Sequence, residues 1–125
     1  MAISLIASLY LLFSHWVADF LCQSTYMGTM KSKNFTALLL HTAVYSGVMF
    51  FMMVPVLGLT TGDLAVFTLT CFVFHTIQDF ATSKLTSSQF AKGKYNGLDG
   101  AFTIIGFDQF LHYCQIFLTY YCLTN

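Results

Sequence analysis

The sequence predicts an all-α integral-membrane protein: a four-helix bundle made of two helical-hairpin repeats, a single transmembrane domain over 1–125. Three observations lead there. Of the 125 residues, 57% are hydrophobic and only 8% charged, against roughly a quarter charged in an ordinary soluble domain. The apolar residues gather into four runs, each close to the ~20 residues needed to cross ~30 Å of hydrocarbon. A short pattern, His-x3-Asp-Phe, ends both odd-numbered runs. Five Lys balance five Asp, with no Arg and no Glu, so no basic stripe exists to hold a nucleic-acid backbone and that class of function is excluded. Together the spans use nearly all of the chain and leave no room for a soluble domain.

The first span, 2–22, is apolar apart from a few hydroxyls, His15 and Asp19. It lacks a basic n-region and carries both ionisable residues in its second half, so it reads as a retained span and not a signal peptide. A polar segment from Gln23 to Asn34 carries Lys31 and Lys33. The second span, 35–59, nears its end at Pro55 and Gly58. The connection from Thr60 to Asp63 is so short that the second and third spans must form an antiparallel hairpin. The third span covers 64–83. A loop follows over 84–100, read from its Ser, Lys, Asn and Gly content, and the fourth span covers 101–123.

All five Lys lie in or beside the two loops of one face, whereas the opposite face carries only Asp63 near its short turn. The positive-inside rule makes the Lys-bearing face cytoplasmic and puts both termini on the other side. Tyr120 and Tyr121 fit an interfacial belt there. The four cysteines, Cys22, Cys71, Cys114 and Cys122, lack the spacing of a zinc knuckle or a redox pair. They read as packing residues, as do Met49, Met52 and Met53. Ala43 and Gly47 form a small-x3-small pair of the kind that permits close helix approach.

What composition does not explain is where the polar residues fall within the spans. His15 and Asp19 lie in the first, His41 in the second, His75 and Asp79 in the third, and Asp108 and His112 in the fourth. Ionisable groups at mid-span cost several kcal/mol each on insertion scales, so they face a bundle interior and mark function. At ~1.5 Å rise per residue, these groups reach one overlapping layer in the cytoplasmic half. Each i,i+4 pair (His15 with Asp19, His75 with Asp79, Asp108 with His112) shares a helix face. The segment around His15-x3-Asp19-Phe20 is repeated as His75-x3-Asp79-Phe80. Repeats of like orientation are related by an axis along the membrane normal, which sets the two units face to face.

Imidazole nitrogen and carboxylate oxygen are ligands for zinc and other divalent first-row metals, and helical bundles build such sites from inward residues at i,i+3 or i,i+4. The candidate ligands are therefore His15, Asp19, His41, His75, Asp79, Asp108 and His112, with zinc the foremost metal. Asp19, Asp79 and Asp108 are also the candidates for a general base. Seven groups exceed one tetrahedral shell, leaving room for two metals, for carboxylates that orient histidines, or for a base. Gln23, Lys31, Gln78, Lys84 and Gln109, near the same helix ends, are candidates to hold an anionic substrate group; both lysines equally serve as topology signals.

At these residues the chain resembles a domain-of-unknown-function family of small multi-span membrane proteins from bacteria and their phages. The matching pattern reads His15, Asp19, Phe20, Gln23; Lys31; His41; His75, Asp79, Lys84; Asp108, Gln109, His112. The resemblance implies the bacterial inner membrane. A looser likeness is to bacterial membrane-bound metal-dependent hydrolases, which scatter His and Asp over short apolar helices. The absence of Glu excludes an H-E-x-x-H protease, and the absence of Arg weighs against phosphoryl transfer. Three functions compete: a metal-dependent hydrolase acting on a membrane-associated substrate, a proton or divalent-cation transporter, and a phage-type membrane interaction factor whose polar layer is structural. The partners expected are the lipid bilayer, a membrane-associated substrate, and a second copy of the chain or a host membrane protein.

Overall fold

Ser4 starts the first helix: its side-chain oxygen accepts from the Ala7 amide at 3.1 Å, satisfying one of the donors that a helix start leaves unpaired. In the computed structural model, which describes residues 2–56 and 58–125, α1 runs over Leu5–Trp16 and passes unbroken into a π-helical turn, Val17–Leu21. The remaining helices are α2 (Thr25–Met30), α3 (Phe35–Met53), α4 (Thr61–Ala91) and α5 (Ala101–Thr124), and no strand occurs among the described residues. The chain is all-α, as expected. Helix α4 packs along α3 and α5, and α1 lies against the same two helices. Thus α1 and α4, which carry the two His-x3-Asp units, stand diagonally across the interior. Length and apolarity qualify α3 and α4 to cross a membrane, while Leu5–Leu21 is a shorter apolar helix. Helix α5 has 24 residues but is interrupted by polar groups from Thr103 to Thr119.

The boundaries depart from expectation in three places. The apolar run 35–59 stops being helical at Met53, because Pro55 has no amide to continue the ladder; Leu57, within that run, lies outside the described residues. Helix α4 then starts at Thr61, earlier than 64, through a capping box in which Thr60 and Asp63 each bond the other's backbone amide. Most of all, α4 does not end at 83. Lys84 to Ala91 continues it, giving 31 residues or about 46 Å. Polar composition there marks an exposed stretch of helix, not its end, since no Gly or Pro intervenes before Gly93. The segment 23–34, expected to be irregular, contains α2, started by Ser24 accepting from the Met27 amide.

Between α4 and α5 the chain turns tightly. The Ala101 amide donates to the Lys94 carbonyl and the Phe102 amide to that of Tyr95, and Lys94 pairs with Asp99 at 2.9 Å. That ammonium holds the exposed Asp99 carboxyl below the usual carboxylate range. A Cβ on Gly100 would lie 2.5 Å from the Asn96 carbonyl carbon, so only glycine fits at this start of α5. The Ala43 and Gly47 pair makes no close helix approach: Ala43 is exposed, and nothing lies within 4 Å of a Cβ placed on Gly47.

The interior is divided lengthwise. Toward the Asp63 end it is largely apolar, with Leu11, Met49, Met53, Phe67, Cys71 and Ile116 in one cluster and the buried Gln115 amide beside Cys71. The four cysteines are free; Cys71, Met49 and Met53 are buried and serve packing, whereas Cys122 is exposed. Toward the opposite end the buried residues are His15, Asp19, His41, His75, Asp79, Asp108 and His112. The outer surface is the reverse of a soluble protein's, with Phe13, Phe51, Leu69, Ile77, Phe110 and Leu118 exposed. Replacing the fully buried Phe67 with Ala should cost about 3–5 kcal/mol. Phe13→Ala, on the exposed face, should change stability by no more than about 0.5 kcal/mol. Denaturant titration in detergent micelles, followed by helical circular dichroism, measures both.

Candidate metal centre

Helical spacing brings the polar residues inward, and their side chains meet in two groups that share one carboxylate. In the first, the His41 and His75 Nε2 atoms lie 3.1 Å apart. Asp19 Oδ1 stands 3.1 Å from His41 and 3.3 Å from His75, and Asp79 Oδ2 stands 3.2 and 3.4 Å from them. In the second, His112 Nε2 is 3.0 Å from Asp79 Oδ1 and 3.1 Å from Asp108 Oδ2. Within each group all ligand-type atoms lie within 4.8 Å of one another. Asp79 thus gives one oxygen to each group.

The π turn is what aims Asp19. Its wider ring closes through the Cys22 amide donating to the Val17 carbonyl, five residues back, at 2.9 Å. His15 and Asp19 therefore do not duplicate the roles of His75 and Asp79. His75 enters the first group, whereas His15 stays beside it with both nitrogens engaged. The Gln109 amide donates to Asp19 at 3.3 Å and to Asp108 at 3.2 Å. Its carbonyl oxygen must then be the atom facing His15 Nε2 at 2.7 Å, so that nitrogen donates and His15 Nδ1 accepts from the Tyr45 hydroxyl at 2.8 Å.

The same reasoning fixes His112. The Gln78 amide nitrogen points at the Leu111 carbonyl, so its oxygen accepts from His112 Nδ1 at 2.6 Å. In a neutral imidazole that leaves the Nε2 lone pair pointing at two carboxylate oxygens. Such an arrangement requires a cation, either a proton or a metal, between them. The first group has the same character: Asp19 Oδ1 is buried against the His41 and His75 Nε2 atoms without a well-directed hydrogen bond, which is costly unless a cation lies between them.

The seven expected ligands are thus separated into six that converge and one, His15, that supports them. Of the residues expected to hold an anion, Gln23, Lys31 and Gln109 line a cleft of about 450 Å³ whose floor includes Asp19, Asp79 and Asp108. Gln78 is engaged inside the bundle with His112. Lys84 donates to the Ser32 carbonyl at 3.0 Å and lies over the Phe80 ring, so it fastens the α2–α3 connection. Lys31 reaches Asp79 Oδ2 at 2.9 Å. Burial alone would lower its pKa, but Asp79, with Asp19 and Asp108 beyond, raises it above the ordinary lysine value, so it is a cation at neutral pH.

Two contributors were not singled out from the sequence. Tyr45 stacks on His75 with ring centroids 3.8 Å apart and is fully buried; as i+4 from His41 it shares that residue's face. Thr82 donates to Asp108 Oδ1 at 2.5 Å and lies one helical turn beyond Asp79. Both signals are helical spacing from an already identified ligand. Hydroxyls are too common in this sequence for that spacing to stand out.

The fold and site define a class: a small all-helical protein with two helices long and apolar enough to span a membrane and a buried His/Asp cluster at one end. The particular family follows from comparison. The profile described as Protein of unknown function (DUF3307) matches residues 8–125, and the chain belongs to that family. No curated protein and no solved structure matches the chain, and the looser likeness to membrane-bound hydrolases gains no support there. Gln78→Leu, which strands His112 Nδ1 without its acceptor, should lower stability by about 1–3 kcal/mol with helical content kept. Thermal unfolding in detergent reads this.

Proposed function

We propose that the chain is a four-span protein of the bacterial inner membrane, two hairpins of like orientation, that holds a divalent metal, zinc foremost, and hydrolyses a membrane-associated substrate. The observation that carries this reading is the spacing of the first group. Ligands 2.0–2.1 Å from a tetrahedral zinc stand about 3.3–3.4 Å apart. The five separations among His41, His75, Asp19 and Asp79 given above run from 3.1 to 3.4 Å.

Several features support the rest. The apolar outer surface suits lipid, and the diagonal placement of α1 and α4 is the one that paired hairpins about a common axis require. All five lysines lie on the loop side, at the end of the chain's helices where the cleft opens, which by the positive-inside rule is the cytoplasmic face. A divalent ion held by the cluster would supply Lewis-acid chemistry. The chain's own residues bring the substrate to it: Lys31, Gln23 and Gln109 line the approach and suit an anionic group, and the buried carboxylates at the cleft floor are placed to take a proton. The apolar cluster in the far half of the interior leaves few polar groups there to line a path from face to face, which favours hydrolysis over transport.

Tag-free protein purified in detergent should carry stoichiometric divalent metal by elemental mass spectrometry, and His75→Ala should lose it while remaining helical. Metal-free wild-type protein would overturn the reading. Incubated with vesicles of bacterial membrane lipids, the wild type should release products seen by mass spectrometry that His75→Ala does not. Lys31→Gln should keep the metal and weaken use of an anionic substrate by about tenfold or more, the loss of one charged hydrogen bond.

A further inference from the structure

The second group of ligand atoms is not needed by a single metal, and its geometry points to a second one. We infer that the protein holds a pair of divalent ions bridged by Asp79, and that the reacting position is the one formed by Asp79, Asp108 and His112. This rests on the metal-centre reading above and says where in it the chemistry takes place.

Four observations converge. First, the Asp79 carboxylate divides its oxygens, Oδ2 toward His41 and His75, Oδ1 toward His112, as a carboxylate bridging two cations does. Second, the His75 and His112 rings lie parallel within 13°, centroids 3.9 Å apart. Each enters a different group, so the two groups lie side by side, as the paired ions of two-metal hydrolytic sites do. Two stacked imidazolium cations would repel at that separation, so at least one of the two rings is neutral and has a lone pair to offer. Third, His112 has its Nδ1 proton on Gln78 and its Nε2 aimed at Asp79 and Asp108, the tautomer a metal ligand needs. Fourth, Thr82 donates to Asp108 Oδ1, which turns Oδ2 toward His112, with the Gln109 amide also on that oxygen at 3.2 Å.

The two positions differ in a way that assigns their roles. The first has four protein ligands, which is the closed shell of a structural zinc site. The second has three, which is the number that leaves a coordination position for water or substrate. Asp79 and Asp108 both line the cleft, so that open position faces the substrate side. Three carboxylates and one lysine leave two net negative charges in the layer, with the histidines neutral. One divalent ion cancels them, and a second makes the layer cationic. A cationic layer below Lys33 and the hydroxyls of Ser32 and Ser87 selects a substrate whose scissile group is an anion, and two such ions would bind a phosphate ester in place of the Arg clamp that the chain lacks.

The test is metal stoichiometry on tag-free protein in detergent after loading with Co2+ and removal of free metal. Wild-type protein should hold two ions per chain and Asp108→Asn one, with the Mn2+-loaded wild type showing spin coupling between ions that Asp108→Asn lacks. If Asp108→Asn does not fold, stepwise Co2+ titration of wild-type protein decides, with absorption rising through two equivalents. One ion in the wild type overturns the pair and leaves the single-metal reading standing; none overturns both. Inorganic phosphate added to the two-metal protein should perturb the Co2+ spectrum, at concentrations at least tenfold lower than for Asp108→Asn. Equal sensitivity would overturn the assignment of the open position.

Discussion

Three carboxylates and four imidazoles held out of water in one layer are the constraint on which the rest of the structure depends. Removing a single carboxylate from water costs several kcal/mol even after relaxation, and Asp19, Asp79 and Asp108 are all buried. Lys31, Gln109 and Thr82 offset part of this, but the backbone groups of the helices are used within the helices and few other charges are near. The layer is tolerable only if its members face one another and a cation, and this dictates which face of each helix turns inward. The lengthwise division of the interior follows. Once one half is committed to polar groups, the other half supplies the apolar packing, through Phe67, Met49, Met53 and Ile116.

Around this layer lies a set of neutral groups whose role is orientation. Gln109 ties Asp19 to Asp108 and presents its oxygen to His15, Gln78 sets the tautomer of His112, and Tyr45 holds His15 while stacking on His75. Partners of this kind fix ring orientation at metal sites. Lys31 differs, being a charge brought in from the α2 end, and it links the cleft entrance directly to the carboxylate that both groups share.

Much of this was legible in the sequence because the chemistry is sparse. With few ionisable residues in the spans, the i,i+4 spacing of His75 with Asp79 and of Asp108 with His112 was enough to place them together. The diagonal relation of α1 and α4 was legible through the repeat. The division of labour between His15 and His75 was not, since the same His-x3-Asp string describes both and the π turn leaves no periodic trace. Helix ends were read from composition, which misjudged α4: Lys, Ser and Gln after residue 83 signal exposure, and an exposed stretch is readily helical. The extent of α3 was misjudged for the converse reason, because apolar residues after Met53 signal burial and do not by themselves form a helix around Pro55.

The π turn has a consequence for how this chain tolerates changes in length. A helical residue advances the face by about 100°, and the one surplus residue at Val17–Leu21 is what brings Asp19 to His41 and His75 while His15 keeps Gln109. Deleting one residue there would restore regular α-helix and swing Asp19 away from its partners without altering the apolar character of the segment. The connection from Lys92 to Gly100 also has a set geometry, but its exposed residues hold nothing in the polar layer. The first helix therefore carries its information in its residue count as well as in its composition, and hydropathy alone would not register the loss.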